Sequence, residues 1–144
     1  MAGARRDAVT AGLVAAVASG IPSTAYAAAR RRDILEGARA AGTIVLPHAT
    51  RTAPLLAAAA PVHLGLSIGW ALALEAVLPR RREPLLGTLG GLAIAALDLG
   101  IVGRHLPAIR ALEQPPQWLD HAAYGLTVGV VLRRRRSRRA AGRA

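Results

Sequence analysis

Asp98 stands alone in a stretch, Leu85 to Gly103, that is otherwise free of charge. Three other long apolar stretches carry isolated polar side chains: Ser23 and Tyr26 in the first, His63 in the second, His121 and Tyr124 in the last. A carboxylate in an apolar medium is costly, and by default it marks a functional group with a partner. By type, its partners are His63 and His121, whose ring nitrogens can donate to or accept from it. Ser23, Tyr26 and Tyr124 add hydrogen-bonding groups. Three uses of this set stay open: a proton or ion relay, a structural pin that fixes helix register, and a metal or haem site with two facing histidines. Arg104, one and a half turns further on, is a further ion-pair partner for Asp98, and Glu75, one turn from the end of the second span, is expected to pair with Arg80–82.

Other chemistry finds no support. Cysteine is absent, which excludes disulfides, iron–sulfur clusters and thiol catalysis. No phosphate-binding, dinucleotide, zinc-protease or serine-hydrolase motif occurs, so nothing marks the chain as an enzyme. No metal site and no cofactor is predicted, because the chain lacks the aromatic packing expected around a porphyrin. His48 and His105 are loop residues without informative spacing.

The apolar stretches are the elements that must position the polar set. The chain has 144 residues, 53% of them hydrophobic, with a mean hydropathy of +0.34. All nineteen basic residues are arginine, against eight acidic ones, and the net charge is +11. The arginines are bunched between the apolar stretches. About 20 apolar helical residues cross a bilayer core. The spans are placed at about 8–29, 53–78, 85–103 and 117–132, the last needing arginine snorkelling or local thinning. The fold class is therefore all-α: an integral membrane four-helix bundle in one domain. Pro54 and Pro84 suit first-turn positions, Pro79 closes the second helix, and Trp118 sits where an interfacial anchor belongs. Pro22 and Pro61 lie within spans, where each would kink or curve its helix.

The first span has a competing reading. Arg5 and Arg6, the apolar run, Gly20-Ile21-Pro22 and Ala25-Tyr26-Ala27 have the form of a signal peptide with an A-x-A site. Arg30, Arg31 and Arg32 directly after it oppose export, and the run is long enough to span. Between the first two spans, Asp33 and Glu36 have capping-box spacing. Ile34, Leu35, Ala38, Ala41 and Val45 then share a face, which predicts a short amphipathic helix over about 34–46. It lies in the interface, or re-enters the membrane if its backbone is buried in protein.

Arginine counting orients the bundle. Twelve arginines share a side with both termini and seven fall on the other, so both termini are placed in the cytoplasm of a bacterial inner membrane. Alternate helices run in opposite directions. At 1.5 Å per residue, Ser23, His63, Asp98 and His121 then each sit roughly 4–7 Å outside the midplane, in one layer. Small-xxx-small spacings mark helix-packing faces at Gly12 and Gly20, Gly65 and Gly69, Gly87 and Gly91, and Gly125 and Gly129. His63, Ser67, Trp70 and Leu74 form a stripe of their own on the second span; Gly65 and Gly69 lie roughly opposite it and are left over for a homodimer or a larger membrane partner. Arg133, Arg134, Arg135, Arg136, Arg138 and Arg139 form a cytoplasmic tail, 133–144. Right after a span, its partner is anionic lipid and not nucleic acid, and its plain task is to lock topology.

The segments SGIPSTAY (19–26), RAAGTIVLP (39–47), PVHLGLSIGW (61–70), LDLGIVGR (97–104) and DHAAYG (120–125) resemble those of small four-helix bacterial membrane proteins without assigned function. The resemblance spans most of the chain and implies no activity or cofactor. In size and helix count alone the chain is similar to small multidrug-resistance transporters, which are dimers built around a first-helix glutamate. The first span here has no carboxylate. The leading expectation is a small carrier or ion- and proton-handling protein using Asp98. The alternative is an accessory subunit packed against a larger membrane complex.

Overall fold

A computed structural model describes residues 2–142, which are helical throughout their regular structure. Helices α1 (Ala2–Ala18) and α2 (Ile21–Ala29) follow one another across a turn at Ser19 and Gly20. Pro22 explains the break. It lies in the first turn of α2, where a missing N–H leaves nothing unpaired, and not inside a continuous helix. A Cβ on Gly20, at this joint, would meet nothing within 4 Å, so no close helix approach depends on it.

α2 closes on Arg31, at φ 54°. Arg32 N–H donates to the Ala27 carbonyl (2.8 Å) and Arg31 N–H to that of Ala28 (3.1 Å), the paired bonds of a Schellman ending. The loop beyond it holds α3 (Glu36–Gly42), shorter than the 34–46 expected. Asp33 does not cap it across to Glu36. Its Oδ1 accepts the Leu35 N–H at 2.8 Å and its Oδ2 meets Arg39 at 2.6 Å, so residues 33–35 form a turn. Ala40 and Gly42 are buried, and a Cβ on Gly42 would strike the Leu55 backbone.

α4 (Thr52–Val77) runs unbroken past Pro61. α5 (Glu83–Leu97) changes at Asp98 into a π-helical turn, Asp98–Val102, and then a 3-10 turn, Gly103–His105. A short α6 (Pro107–Arg110) leads to α7 (Gln114–Ala141). Three helical stretches are long and apolar enough to cross a membrane: Gly3–Ala29, Thr52–Val77 and Glu83–His105. Leu13, Val17, Leu64, Leu72, Leu89 and Ile101 are among the large side chains that they leave exposed. That many open apolar side chains belong against lipid, and the chain reads as a membrane protein.

Packing follows the small residues. α5 and α7 approach until a Cβ on Gly87 or Gly91 would strike the carbonyls of Gly125 or His121, and one on Gly129 that of Glu83. Gly12 brings α1 to within a Cβ contact of 2.8 Å from the Ser67 carbonyl on α4. Three of the four predicted packing faces are thus in use, through Gly12, through Gly87 and Gly91, and through Gly125 and Gly129. Gly65 and Gly69 face open space, as does Gly20. Ala11, Ala15, Ala71, Leu74, Ile94, Val128 and Leu132 fill the core between these helices.

The arginine run is not a separate tail; it continues α7 to Ala141. Three of its members turn inward. Arg135 and Arg139 bind Asp7, 2% exposed, at 2.5 and 2.9 Å. Arg136 reaches Glu75 at 3.3 Å, Glu83 at 3.6 Å and the Leu78 carbonyl at 3.4 Å. Those three arginines clamp α1, α4 and α5 onto α7, so burying Asp7 and Glu83 leaves no unpaired charge. These ion pairs give the three arginines a structural part in addition to the one expected of the whole run.

Candidate functional site

At the other end of the molecule, α2, α3, α4, the Asp98 turn and α7 surround a cavity of about 760 Å³. Its wall is mainly apolar with a few polar groups, the usual make-up of a small-molecule site, and its volume is in that range. Ser23, Tyr26, His63, Asp98, His121 and Tyr124 all lie on this wall. The elements explain why. The break before α2 and the π-helical turn at Asp98 both unwind a long helix at cavity depth, and such turns reorient side chains. Ala38 and Ala41 of α3 cover the cavity from the loop side.

Asp98 is the centre of the arrangement. The Trp70 indole N–H donates to its Oδ2 at 3.2 Å, and His121 Nε2 lies 3.6 Å from the same oxygen. Both side chains are only partly exposed, at 27% and 22%. His121 Nδ1 is 2.8 Å from the Gln117 carbonyl. A carbonyl only accepts, so Nδ1 carries hydrogen. Nε2 then faces the carboxylate either with a second proton or with a lone pair. The Asp98–His121 contact is attractive only when the pair holds one proton more than carboxylate and neutral imidazole together.

The other expected members have separate tasks. The His63 Nε2–H donates to the Ala16 carbonyl at 2.8 Å, near the end of α1 where carbonyls lack helical partners. His63 therefore lines the cavity without touching Asp98. Tyr26 stacks under the Arg30 guanidinium at 5.5 Å. The Tyr124 hydroxyl donates to the Ser67 carbonyl at 2.5 Å. The Ser23 N–H donates to Asp120 Oδ1 at 2.8 Å. Neither Arg104 with Asp98 nor Arg80–82 with Glu75 forms an ion pair among the described residues; Arg136 takes Glu75.

Asp120 and Trp70 are the cavity residues whose roles sequence reasoning missed. Asp120 caps the free N-terminus of α2 from another helix, a favourable place for a carboxylate. The signal for it was Pro22, which leaves an open helix end in the middle of an apolar stretch. Trp70 was visible only as a neighbour of His63 in a stripe.

Charge is sorted by location. Asp33, Glu36, Asp98, Glu113 and Asp120, five of the eight acidic residues, line the cavity. Among the described residues, Arg32 is the one arginine on that wall, and it is paired with Glu113. In a chain of net charge +11, the cavity is the acidic region. Compared with models of known families, with curated proteins and with solved structures, the chain matches none of them.

Proposed function

We propose that the chain is a small multi-pass carrier that moves protons, or a small cation coupled to them, through the Asp98 cavity. The observation that carries this reading is the Asp98–His121 contact on the cavity wall, with His121 Nδ1 already committed to the Gln117 carbonyl. The pair takes up one proton between Oδ2 and Nε2 and loses it again, and losing it turns attraction into repulsion between two helices. The acidic wall favours a positively charged cargo over an anion.

In this reading α7 is the fourth span, through residues 117–132. Its apolar part is short for a bilayer, and the arginines from 133 onward reach to the headgroups. Both termini then face the cytoplasm of a bacterial inner membrane, by the twelve-to-seven arginine asymmetry.

Proteoliposomes with an enclosed pH dye test the proposal. The wild type dissipates an imposed pH gradient, and Asp98→Asn abolishes that flux while eluting as the wild type does. A variant with undiminished flux, or a wild type with none, ends the proposal.

One observation favours the second reading, an accessory subunit: Gly65 and Gly69 present a smooth helix face with nothing against it. Crosslinking from that face in native membranes separates the two readings. A single heterologous partner supports the subunit; self-crosslinks alone support a dimeric carrier.

A further inference from the structure

The arginine run at the end of α7 divides into two faces. Leu132, Arg135, Arg136 and Arg139 recur at i, i+3, i+4 and i+7, one stripe of a helix. This stripe faces inward, with Leu132 fully buried and the three arginines on Asp7, Glu75 and Glu83. Val130, Arg133, Arg134, Ser137 and Arg138 take the other side. With Pro84 at the start of α5 they line a separate surface groove of about 440 Å³.

Arg133, Arg134, Ser137 and Arg138 are exposed. Among the described residues, no carboxylate lies within 4.0 Å of these three arginines. Asp7, Glu75 and Glu83 are occupied by the arginines of the inner face. Three guanidinium groups therefore border one groove, and its remaining wall is apolar, Val130 and Pro84.

We propose that this groove binds the phosphate of an anionic phospholipid, independently of any transport role. Arg133, Arg134 and Arg138 hold the phosphate oxygens, since the guanidinium fork matches phosphate with paired N–H donors. The Ser137 hydroxyl adds a donor. Val130 and Pro84 meet the glycerol and the first acyl carbons. That apolar wall is what selects lipid: inorganic phosphate and RNA have no apolar group to place on it. The depth also fits, because the apolar part of α7 ends at Leu132 and the groove straddles that boundary, where lipid phosphates lie.

The test uses the purified full chain in detergent, titrated with short-chain phosphatidylglycerol, phosphatidylcholine, inorganic phosphate and an RNA oligonucleotide. Phosphatidylglycerol is expected to bind far more tightly than the other three. The triple substitution R133Q/R134Q/R138Q weakens it by on the order of a hundredfold, and R134Q alone by about fivefold. R135Q, on the inner face, leaves phosphatidylglycerol affinity within about twofold in any preparation that still folds. Unchanged affinity in both the triple variant and R134Q overturns the proposal. So does equal binding of phosphatidylcholine, or displacement of the lipid by equimolar inorganic phosphate or RNA.

Discussion

Tyr124 on α7 donates its hydroxyl proton to the main-chain carbonyl of Ser67 on α4, across 2.5 Å. Both residues are buried, and apart from the Arg136 contacts to Glu75 and Leu78, α4 touches α7 little, with the cavity between them. This bond closes the deep end of the cavity. Tyr124→Phe keeps the ring and removes the bond. The Ser67 carbonyl keeps its place in the α4 helix ladder, so the loss stays near the ordinary value of about 1 kcal/mol. Thermal unfolding in detergent measures it, and a variant with an unshifted midpoint would show that the bond does not hold the two helices.

The glycines of α5 and α7 are predicted to differ sharply from those of α4. A Cβ on Gly125 would strike the Gly87 carbonyl, a backbone atom that cannot turn aside. Gly125→Ala therefore pushes α5 and α7 apart at a cost of about 1–3 kcal/mol. Gly65 has nothing within 4 Å, and Gly65→Ala gains up to about 1 kcal/mol of helix propensity. Comparing the two melting midpoints checks the pair. A larger side chain, Gly65→Leu, should leave the isolated chain folded and abolish copurification of any partner that covers this face.

Much of this architecture was legible because arginine is excluded from apolar spans, so charge alone marks where the apolar spans begin and end, though not where the helices do. The α5–α7 seam was legible too: Gly87 and Gly91, and Gly125 and Gly129, repeat at one-turn spacing on one face. The cavity members were found as isolated polar groups in apolar surroundings. Their pairing was not, because depth and azimuth do not say which acceptor a side chain meets. His63 turns to a carbonyl of α1, and Asp120 meets Ser23 across 97 positions only because the chain breaks before α2. The division of the arginine run was written in its spacing. It stays hidden as long as residues after Leu132 are taken for a loose tail.

Arg31 ends α2 in the left-handed region, at φ 54°, in the place where glycine is usual. A side chain there is strained by about 1 kcal/mol, and its own head group is exposed. Arg31→Gly should relieve the strain without disturbing the bonds to Ala27 and Ala28. The expected result is a higher melting midpoint, with arginine counting still leaving more charge on the side of the termini.

The loop over the cavity should loosen in acid. The Leu35 N–H, and then Arg39, hold the Asp33 carboxyl below its ordinary range. A depressed folded value means that the charged form stabilises the turn. This contribution is complete above the unfolded value of about 3.9 and is lost as pH falls through the folded one. Amide exchange at Leu35, corrected for its intrinsic rate, should show steady protection from neutral pH down to about pH 4 and a loss below it. Asp33→Asn should remove the acid dependence while leaving the rest of the chain protected.

The two carboxylates at the heart of the cavity should separate by role. Asp120 accepts a main-chain N–H at the free start of α2, so what it supplies is an acceptor at a fixed place. Asp120→Ala leaves that N–H unpaired at a cost of about 1.5 kcal/mol. Asp120→Asn keeps an oxygen there and should recover most of the loss. Asp98 meets a tryptophan N–H and an imidazole nitrogen whose tautomer another carbonyl has set, and in the proposed function it supplies a proton site. Asp98→Asn should leave the melting midpoint close to wild type and stop pH-driven flux. Melting midpoint and flux measured on all three variants give a crossed pattern: one position sensitive in stability and rescued by the amide, the other sensitive in flux and not rescued. If Asp120→Asn stops flux as fully as Asp98→Asn does, the proton path runs through both carboxylates, and Asp120 is more than a helix cap.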